Sequence, residues 1–185
     1  MDDRQIVELF LQRSEGAIRE AERSHGKTLL RLARNVLRDG EDARECVNDT
    51  LLAAWNSIPP QEPADLGSYL CRIARQTAID RYRARNRDKR RPSQYAASLE
   101  ELSDVVGGED AADAADAHAL AEAIGAWLRT RPQRERRTFV ARYYYAESLR
   151  DIARREGMTQ SAVKSLLHRV RQGLRQYLEK EGFTL

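Results

Sequence analysis

Apolar residues recur every three or four positions along most of the chain, which is the period of an amphipathic α-helix. The second of these stripes ends at Asp39-Gly40, the third ends at Pro59-Pro60, and the fourth starts at Leu66. Proline cannot continue a helix, and the pattern therefore predicts four helices that close one small bundle over residues 1–91. The four stripes are Ile6, Val7, Phe10, Ala17, Ile18 and Ala21; Leu29, Leu30, Ala33, Val36 and Leu37; Val47, Thr50, Leu51, Ala54, Trp55 and Ile58; and Leu66, Tyr69, Leu70, Ile73, Ala74 and Thr77.

The helical period fades over residues 92–118, where acidic residues, alanines and Gly107-Gly108 take over. This composition predicts a flexible acidic linker with a short helical stretch near Leu99 to Val105. The period returns with Leu120 and Ile124 and continues to the end of the chain. We therefore expect an all-α fold, with two small helical domains at residues 1–91 and 119–185 on either side of the linker.

The stretch "LRDIARREGMTQSAVKSLLHR", starting at Leu149, has the spacing of a helix-turn-helix. A small residue, Ala153, is fifth and lets the two helices pack closely. Gly157 is ninth, where a positive φ ends the first helix. Thr159 is a suitable N-cap for the second helix.

The second helix of this motif has one apolar and one polar side. The apolar side is predicted to be buried and consists of Val163, Leu166, Leu167, Val170, Leu174 and Leu178. Glutamine and lysine near the N-terminus of such a helix can read base edges in the major groove, and serine can reach phosphate. The alternative is an ordinary helical hairpin with a solvated basic face. The predicted DNA contacts are Thr159, Gln160, Ser161, Lys164, Ser165, His168, Arg169 and Arg171.

Charge is distributed in blocks although the net charge is only +3. Residues Arg81 to Arg91 hold six arginines and one lysine against one aspartate, and Ala119 to Leu185 hold 14 basic against 7 acidic residues. Between them, Ser98 to Asp116 carry seven acids and no base. Any single block is explained by a solvated face, but two basic blocks on separate helical units favour a polyanionic partner.

The chain has only two cysteines and three histidines, and the histidines are scattered along the sequence. Cys46 and Cys71 each lie in a predicted helix and are expected to be buried free thiols. No cofactor and no metal is predicted, although three carboxylates on one helix, Asp42, Glu45 and Asp49, leave open a metal-dependent nucleic-acid enzyme. No apolar run approaches a membrane span of about 18 to 20 residues, and the acidic N-terminus lacks a basic leader, so a cytoplasmic protein is expected.

The segments "DARECVNDTLLAAW" and "YLCRIARQTAIDRYRARNRDKRR", followed by the helix-turn-helix, resemble bacterial sigma factors of the extracytoplasmic-function (ECF) group. The resemblance implies a promoter-specificity subunit of RNA polymerase without a catalytic site of its own. The first domain would be region 2, which binds core polymerase and opens the minus-ten element, and the second would be region 4, which binds the minus-thirty-five element. A free-standing helix-turn-helix regulator is the alternative. The resemblance leaves open an anti-sigma partner.

The resemblance also suggests individual contacts in the first domain. It implies core-polymerase contacts at Asp42, Glu45, Asn48 and Asp49. Arg44, Asn48 and Leu51 differ from the residues common in the family, and Gln76 replaces a common asparagine. A pocket between the fourth helix and the loop Pro59 to Asp65 would receive an unstacked base, and Tyr69 would line it or belong to the core. The implied minus-ten contacts are Gln61, Tyr69, Arg72, Arg75, Gln76, Asp80 and Arg81. The acidic linker would follow positively charged channels of the polymerase.

Overall fold

The computed structural model describes residues 1–85, 94–106 and 114–183, and every regular element in these ranges is helical. The all-α prediction is confirmed. The end of the arginine block, residues 86–91, and Gly107-Gly108 of the predicted linker lie outside the described residues. The helices are α1 (Asp3–Leu11), α2 (Gly16–Leu37), α3 (Gly40–Ser57), α4 (Leu66–Arg85), α5 (Gln94–Val106), α6 (Ala114–Arg129), α7 (Gln133–Phe139), α8 (Leu149–Glu156) and α9 (Gln160–Lys180), with a π-helical turn at Val140–Tyr144.

The chain forms two compact units, Met1–Ser93 and Gln94–Leu185. In the first unit, α2 packs against both α3 and α4, and α1 packs against α2. Its core is made of fully buried side chains that the helical period had placed on the inner faces, including Ile6, Phe10, Leu29, Val36, Ala54, Leu66 and Leu70.

The predicted break between the first two helices was wrong. The apolar pattern placed it between Ala21 and Leu29, but α2 passes through Gly26 without interruption, and the chain instead turns before Gly16. Arg13 adopts a positive φ of 56° in that turn. Glycine costs only about 1 kcal/mol in a helix interior, and Ala21 and Leu29 on either side of Gly26 are both fully buried. The burial of Ala21 and Leu29 in one continuous helix therefore outweighs the cost of a glycine in its interior.

The start of α3 matters because this helix carries the predicted polymerase contacts. The predicted stop at Asp39-Gly40 is confirmed: α2 ends at Leu37, and Arg38 turns the chain with a φ of 59°. The Asp39 carboxylate then accepts hydrogen bonds from the backbone N–H groups of Glu41 (2.8 Å) and Asp42 (3.0 Å). This N-cap satisfies two otherwise unpaired donors of α3.

The second unit is built around α9, against which α5, α6, α7 and α8 all pack. Gly173 gives α6 room to approach, since a Cβ at this position would lie 3.2 Å from the ring of Trp127. Helix α5 covers a stretch that the sequence had placed in the linker. Tyr95 of α5 is buried and Leu102 packs against the core of this unit. Residues 94–106 are thus a packed helix, longer than the predicted Leu99 to Val105.

Candidate nucleic-acid interface

Helices α8 and α9 form the predicted helix-turn-helix, and the local signals for its turn are confirmed. Gly157 follows α8 with a φ of 64°, and a Cβ built there meets nothing within 4 Å. The requirement for glycine is therefore one of backbone conformation rather than of space. The Thr159 hydroxyl accepts a hydrogen bond from the Ala162 N–H at 3.1 Å and caps α9 as predicted.

Helix α9 buries the six apolar residues that its period predicted, from Val163 to Leu178. The opposite side near its N-terminus is exposed and polar. We call this surface the recognition face, and it consists of Thr159, Gln160, Ser161, Lys164, Ser165, His168 and Arg169. It offers hydrogen-bond donors and acceptors and two permanent cations, which suit base edges and phosphates.

Arg171 differs from the other predicted DNA contacts on α9. Its side chain is only 17% exposed. The guanidinium Nη1 donates to the Tyr143 hydroxyl at 2.6 Å and to Oε2 of Glu101 at 3.3 Å. Burial raises the pKa of Tyr143 to about 12, so this hydroxyl remains protonated.

Glu101 of α5 also holds a buried arginine. Arg142 is 2% exposed, and it donates through Nη2 to Oε1 of Glu101 at 2.6 Å and through Nε to Oε2 at 3.3 Å. The Tyr143 hydroxyl donates to the same carboxylate at 3.1 Å. We call Glu101, Arg142, Tyr143 and Arg171 the Glu101 cluster. Sequence reasoning missed it because Glu101 was one acid among seven in a predicted linker.

In the first unit, the predicted polymerase and DNA residues are paired with one another. Arg81 of α4 donates to Oε2 of Glu45 at 2.8 Å and also to the Asp49 carboxylate of α3. Both hydrogen bonds raise the pKa of Arg81, and the one to Glu45 makes the larger contribution. One turn further along α4, Arg85 forms an ion pair with Asp42. We call Asp42, Glu45, Asn48 and Asp49 the acid face of α3.

An exposed leucine accompanies the acid face. Leu52 follows Asp49 by three residues and Asn48 by four, which places it on the same side of α3, and it is 56% exposed. Its neighbour Leu51, which differs from the residue common in the family, is buried. Sequence reasoning placed Leu51 in the apolar stripe of this helix and assigned no role to Leu52, which lies outside that stripe. The signal that could have found it is its spacing from the acids.

The predicted minus-ten residues lie on α4 and in the loop before it. Tyr69 is half-buried, its hydroxyl donates to Ser57 Oγ at 2.7 Å, and the Arg72 guanidinium lies 5.3 Å from its ring centroid. Gln76 donates to the Asp80 carboxylate at 3.0 Å. Gln61 is exposed in the loop, and Arg75 is partly buried on α4. Tyr69 is therefore neither fully buried nor fully exposed, and its contact with DNA stays a prediction.

Among the residues that the structure describes, no group of three or more histidine, cysteine or acidic side chains could hold a metal ion. Cys46 and Cys71 are buried free thiols, as predicted. Burial raises the pKa of Cys46 to about 11, and its thiol donates to the Ala74 carbonyl at 3.5 Å. No described helix is both long and apolar enough to cross a membrane.

Comparison with known proteins identifies both units. Residues 23–88 match the model of sigma-70 region 2, and residues 128–174 match that of sigma-70 region 4. The chain belongs to this family and is an ECF-type sigma factor. The sigma factor is 28% identical to the RNA polymerase sigma-E factor of Streptomyces avermitilis over 160 aligned residues. The aligned region covers 85% of this chain and 82% of the relative.

This assignment settles the general function. The sigma factor is a promoter-specificity subunit of RNA polymerase and acts in transcription initiation through DNA binding. A free-standing helix-turn-helix regulator does not account for the region 2 match in the first unit. Sigma factors work with core RNA polymerase and promoter DNA.

Proposed function

We propose that the sigma factor uses three surfaces: the acid face with Leu52 for core polymerase, α4 and its preceding loop for the minus-ten element, and the recognition face for the minus-thirty-five element. The observation that carries this proposal is the recognition face, an exposed polar surface on a helix whose start is defined by Gly157 and Thr159. The protein acts in the cytoplasm, where it supplies recognition, and the polymerase supplies all the chemistry. An anti-sigma factor would inhibit it by covering one of these surfaces.

Exposure and charge support docking at the acid face. The side chains of Glu45 and Asp49 remain 67% and 49% exposed although both bind Arg81. Surface ion pairs of this kind contribute at most about 1 kcal/mol, so basic groups of a partner can replace Arg81. Leu52 adds apolar surface beside the charges. The partner surface is therefore basic with an apolar recess, and electrostatic attraction would speed its approach.

The geometry of α4 supports contact with an unstacked base of the minus-ten strand. Aromatic rings bind single-stranded bases by stacking, and Tyr69 offers a half-exposed ring that Arg72 borders. The Gln76 amide and Asp80 carboxylate one turn apart offer hydrogen-bonding groups. Gln61 in the loop contributes to base preference. Arg75 and Arg81 then hold the phosphate backbone, Arg81 after release from the acid face.

On the recognition face, contacts to base edges and contacts to phosphates come from different positions along α9. Gln160 and Lys164 lie in the first turns, where a recognition helix meets base edges. Ser161 and Ser165 are placed for phosphates, and Thr159 caps the helix at the same end. His168 and Arg169 lie a turn further on and bind the backbone.

Transcription from a promoter library by core polymerase, with and without the sigma factor, tests the proposal. We expect a defined set of start sites only when the sigma factor is present. Failure to confer start-site selection would refute the function. Incubating the purified protein with DNA or RNA and a divalent metal tests the enzyme alternative, and cleavage would support that alternative instead.

Lys164→Ala tests the recognition face on a promoter from that library. Loss of a base contact should weaken promoter binding by about 1 to 3 kcal/mol, whereas loss of a phosphate contact should reduce the salt dependence with little sequence effect. Lys180→Ala is the matched control, because Lys180 is exposed on the same helix and lies about 24 Å further along it. Equal affinities for the two variants would place the DNA contacts elsewhere.

Asp49→Arg tests the acid face. The variant should lose core polymerase in competition with the wild type, while the circular dichroism of the isolated protein stays unchanged. Undiminished competition for core would contradict the docking role. Leu52→Asp should weaken the same competition if the apolar recess is part of the interface.

A further inference from the structure

Glu101 connects parts of the second unit that are distant in sequence. Its carboxylate binds Arg142, Tyr143 and Arg171, which lie 41, 42 and 70 residues further along the chain. The three partners come from the π-helical turn and from α9. A single acid on α5 therefore joins the turn before the helix-turn-helix to the recognition helix.

The burial of Arg142 indicates that α5 stays in place. A buried guanidinium requires a well-placed counter-charge, and removal of one partner of such a pair is strongly destabilising. Glu101 meets Arg142 with both carboxylate oxygens, the arrangement that binds arginine best. Separation of α5 from the unit would remove this carboxylate from a side chain that is 2% exposed.

The same contact determines what Arg171 can do. Arg171 follows Lys164 by seven residues, or two turns, and so lies on the same side of α9. A free arginine there would extend the recognition face with a third permanent cation. Instead its Nη1 lies between the Tyr143 hydroxyl and the Glu101 carboxylate. A groove beside the recognition face confirms how close the cluster is: its lining includes Glu101, Lys164, His168 and Arg171.

We propose that Glu101 is a positioning residue for minus-thirty-five recognition: it holds Arg171 inside the second unit and thereby withholds this cation from DNA phosphates. Helix α5 is then part of the DNA-reading domain. The inference rests on the proposed function, because it concerns the helix that binds the minus-thirty-five element. It changes the role predicted for Arg171 from a DNA contact to an internal one.

The salt dependence of promoter binding by the complex of full-length protein and core polymerase tests this role. Each phosphate contact by a cation adds about 0.9 to the slope of log K against log salt. Arg171→Gln should leave the slope unchanged. Glu101→Gln should make it steeper by about 0.9, because Arg171 loses its counter-charge and keeps only the neutral Tyr143 hydroxyl, and the double variant should return to the wild-type slope. A role that was only structural would lower affinity without adding to the slope.

Glu100→Gln is the matched control, since it removes the same charge from an exposed neighbour on α5. It should leave the slope close to that of the wild type. A slope reduced by about 0.9 in Arg171→Gln would show that Arg171 contacts phosphate in the wild type and would overturn the proposal. Equal slopes for Glu101→Gln and the double variant would also overturn it.

A double-mutant cycle in thermal unfolding tests the contact without DNA. In a Trp55→Phe background, Trp127 is the remaining tryptophan and reports on the second unit. We expect Arg171→Gln to lower Tm less when Glu101 is already glutamine, and additive shifts would overturn the contact. If Glu101→Gln does not fold, the slope of Arg171→Gln decides alone: an unchanged slope supports the proposal, and a slope reduced by about 0.9 overturns it. Because the cycle needs no polymerase, an absence of promoter binding would count against the proposed function alone.

Discussion

The acid face of the first unit and the Glu101 cluster of the second use the same chemistry in opposite surroundings. In both, arginine meets carboxylate across two helices. Glu45 is 67% exposed and Arg81 30%, whereas Arg142 is 2% and Arg171 17% exposed. Exposed pairs are weak and exchange readily with a partner's charges, but buried pairs are costly to break. The exposed pairs of the acid face therefore suit docking to a partner, and the buried pairs of the Glu101 cluster suit stabilisation of the domain.

The largest effect should come from breaking the buried cluster. Arg142→Ala leaves the Glu101 carboxylate and the Glu147 carbonyl without their buried guanidinium partner and should lower the free energy of unfolding of the second unit by about 3 kcal/mol. Urea unfolding followed by Trp127 fluorescence in the Trp55→Phe background measures it. Arg134→Ala, at an exposed position on α7, should stay within about 0.5 kcal/mol. Similar stability of the two variants would mean that the buried Glu101 cluster stabilises the protein no more than an exposed arginine does.

A backbone change in the same unit should have a somewhat smaller effect. Gly157→Val places a β-branched residue at a φ of 64°, and we expect a loss of about 2 kcal/mol in the free energy of unfolding. Gly157→Asn should cost less, since asparagine tolerates this conformation and the site has space for a side chain. The same fluorescence measurement applies. Equal losses for valine and asparagine would point to a cause other than φ.

Alkaline pH should weaken the two units in different ranges. Burial raises the pKa of Cys46 from 9.0 to about 11 and that of Tyr143 from 10.0 to about 12. For each group, the unfolded chain loses the proton at a lower pH than the folded protein does. The contribution of that group to stability is therefore complete below the pKa of the unfolded chain, and it falls as pH rises toward the raised pKa of the folded protein. The first unit should therefore begin to weaken about one pH unit earlier.

Unfolding at several pH values checks this order, with Trp55 and Trp127 observed separately. Cys46→Ala should reduce the loss of stability of the first unit between pH 9 and 11. Tyr143→Phe should reduce the loss of stability of the second unit between pH 10 and 12. Tyr177→Phe is the control, because Tyr177 is a half-buried tyrosine of the same core. A decline that persists in Cys46→Ala would show that another group causes it.

The smallest effect on stability should come from the exposed pair. Arg81→Ala should change the free energy of unfolding of the first unit by less than about 1 kcal/mol. It should also strengthen binding to core polymerase at low salt, because Glu45 and Asp49 lose an internal competitor. Competition for core measures this, and Arg83→Ala is the control at an exposed position two residues away. Weaker binding by Arg81→Ala would mean that Arg81 itself belongs to the polymerase interface.

Local patterns predicted the helix-turn-helix well. Gly157, Thr159 and the six buried residues of α9 lie as the spacing indicated, because caps and helix faces depend on residues within one or two turns. The break between Ala21 and Leu29 and the length of α5 were not predicted correctly. In both cases packing against distant residues outweighed the local pattern. Leu29 is buried in the core of the first unit, and Glu101 of α5 binds Arg142 in the second.

The sequence by itself determined the all-α class, the helix faces, the turn at Gly157 and the family, since these follow from short-range periodicity and recognisable motifs. Only the tertiary structure decided which charges meet. Arg81 binds acids 32 and 36 residues away, and Glu101 binds Arg171 across 70 residues. Attraction between charges depends on distance in space and on exposure to water, and neither can be read from spacing along the chain. That is why Arg171 looked like a DNA contact in the sequence and lies beside Glu101 in the fold.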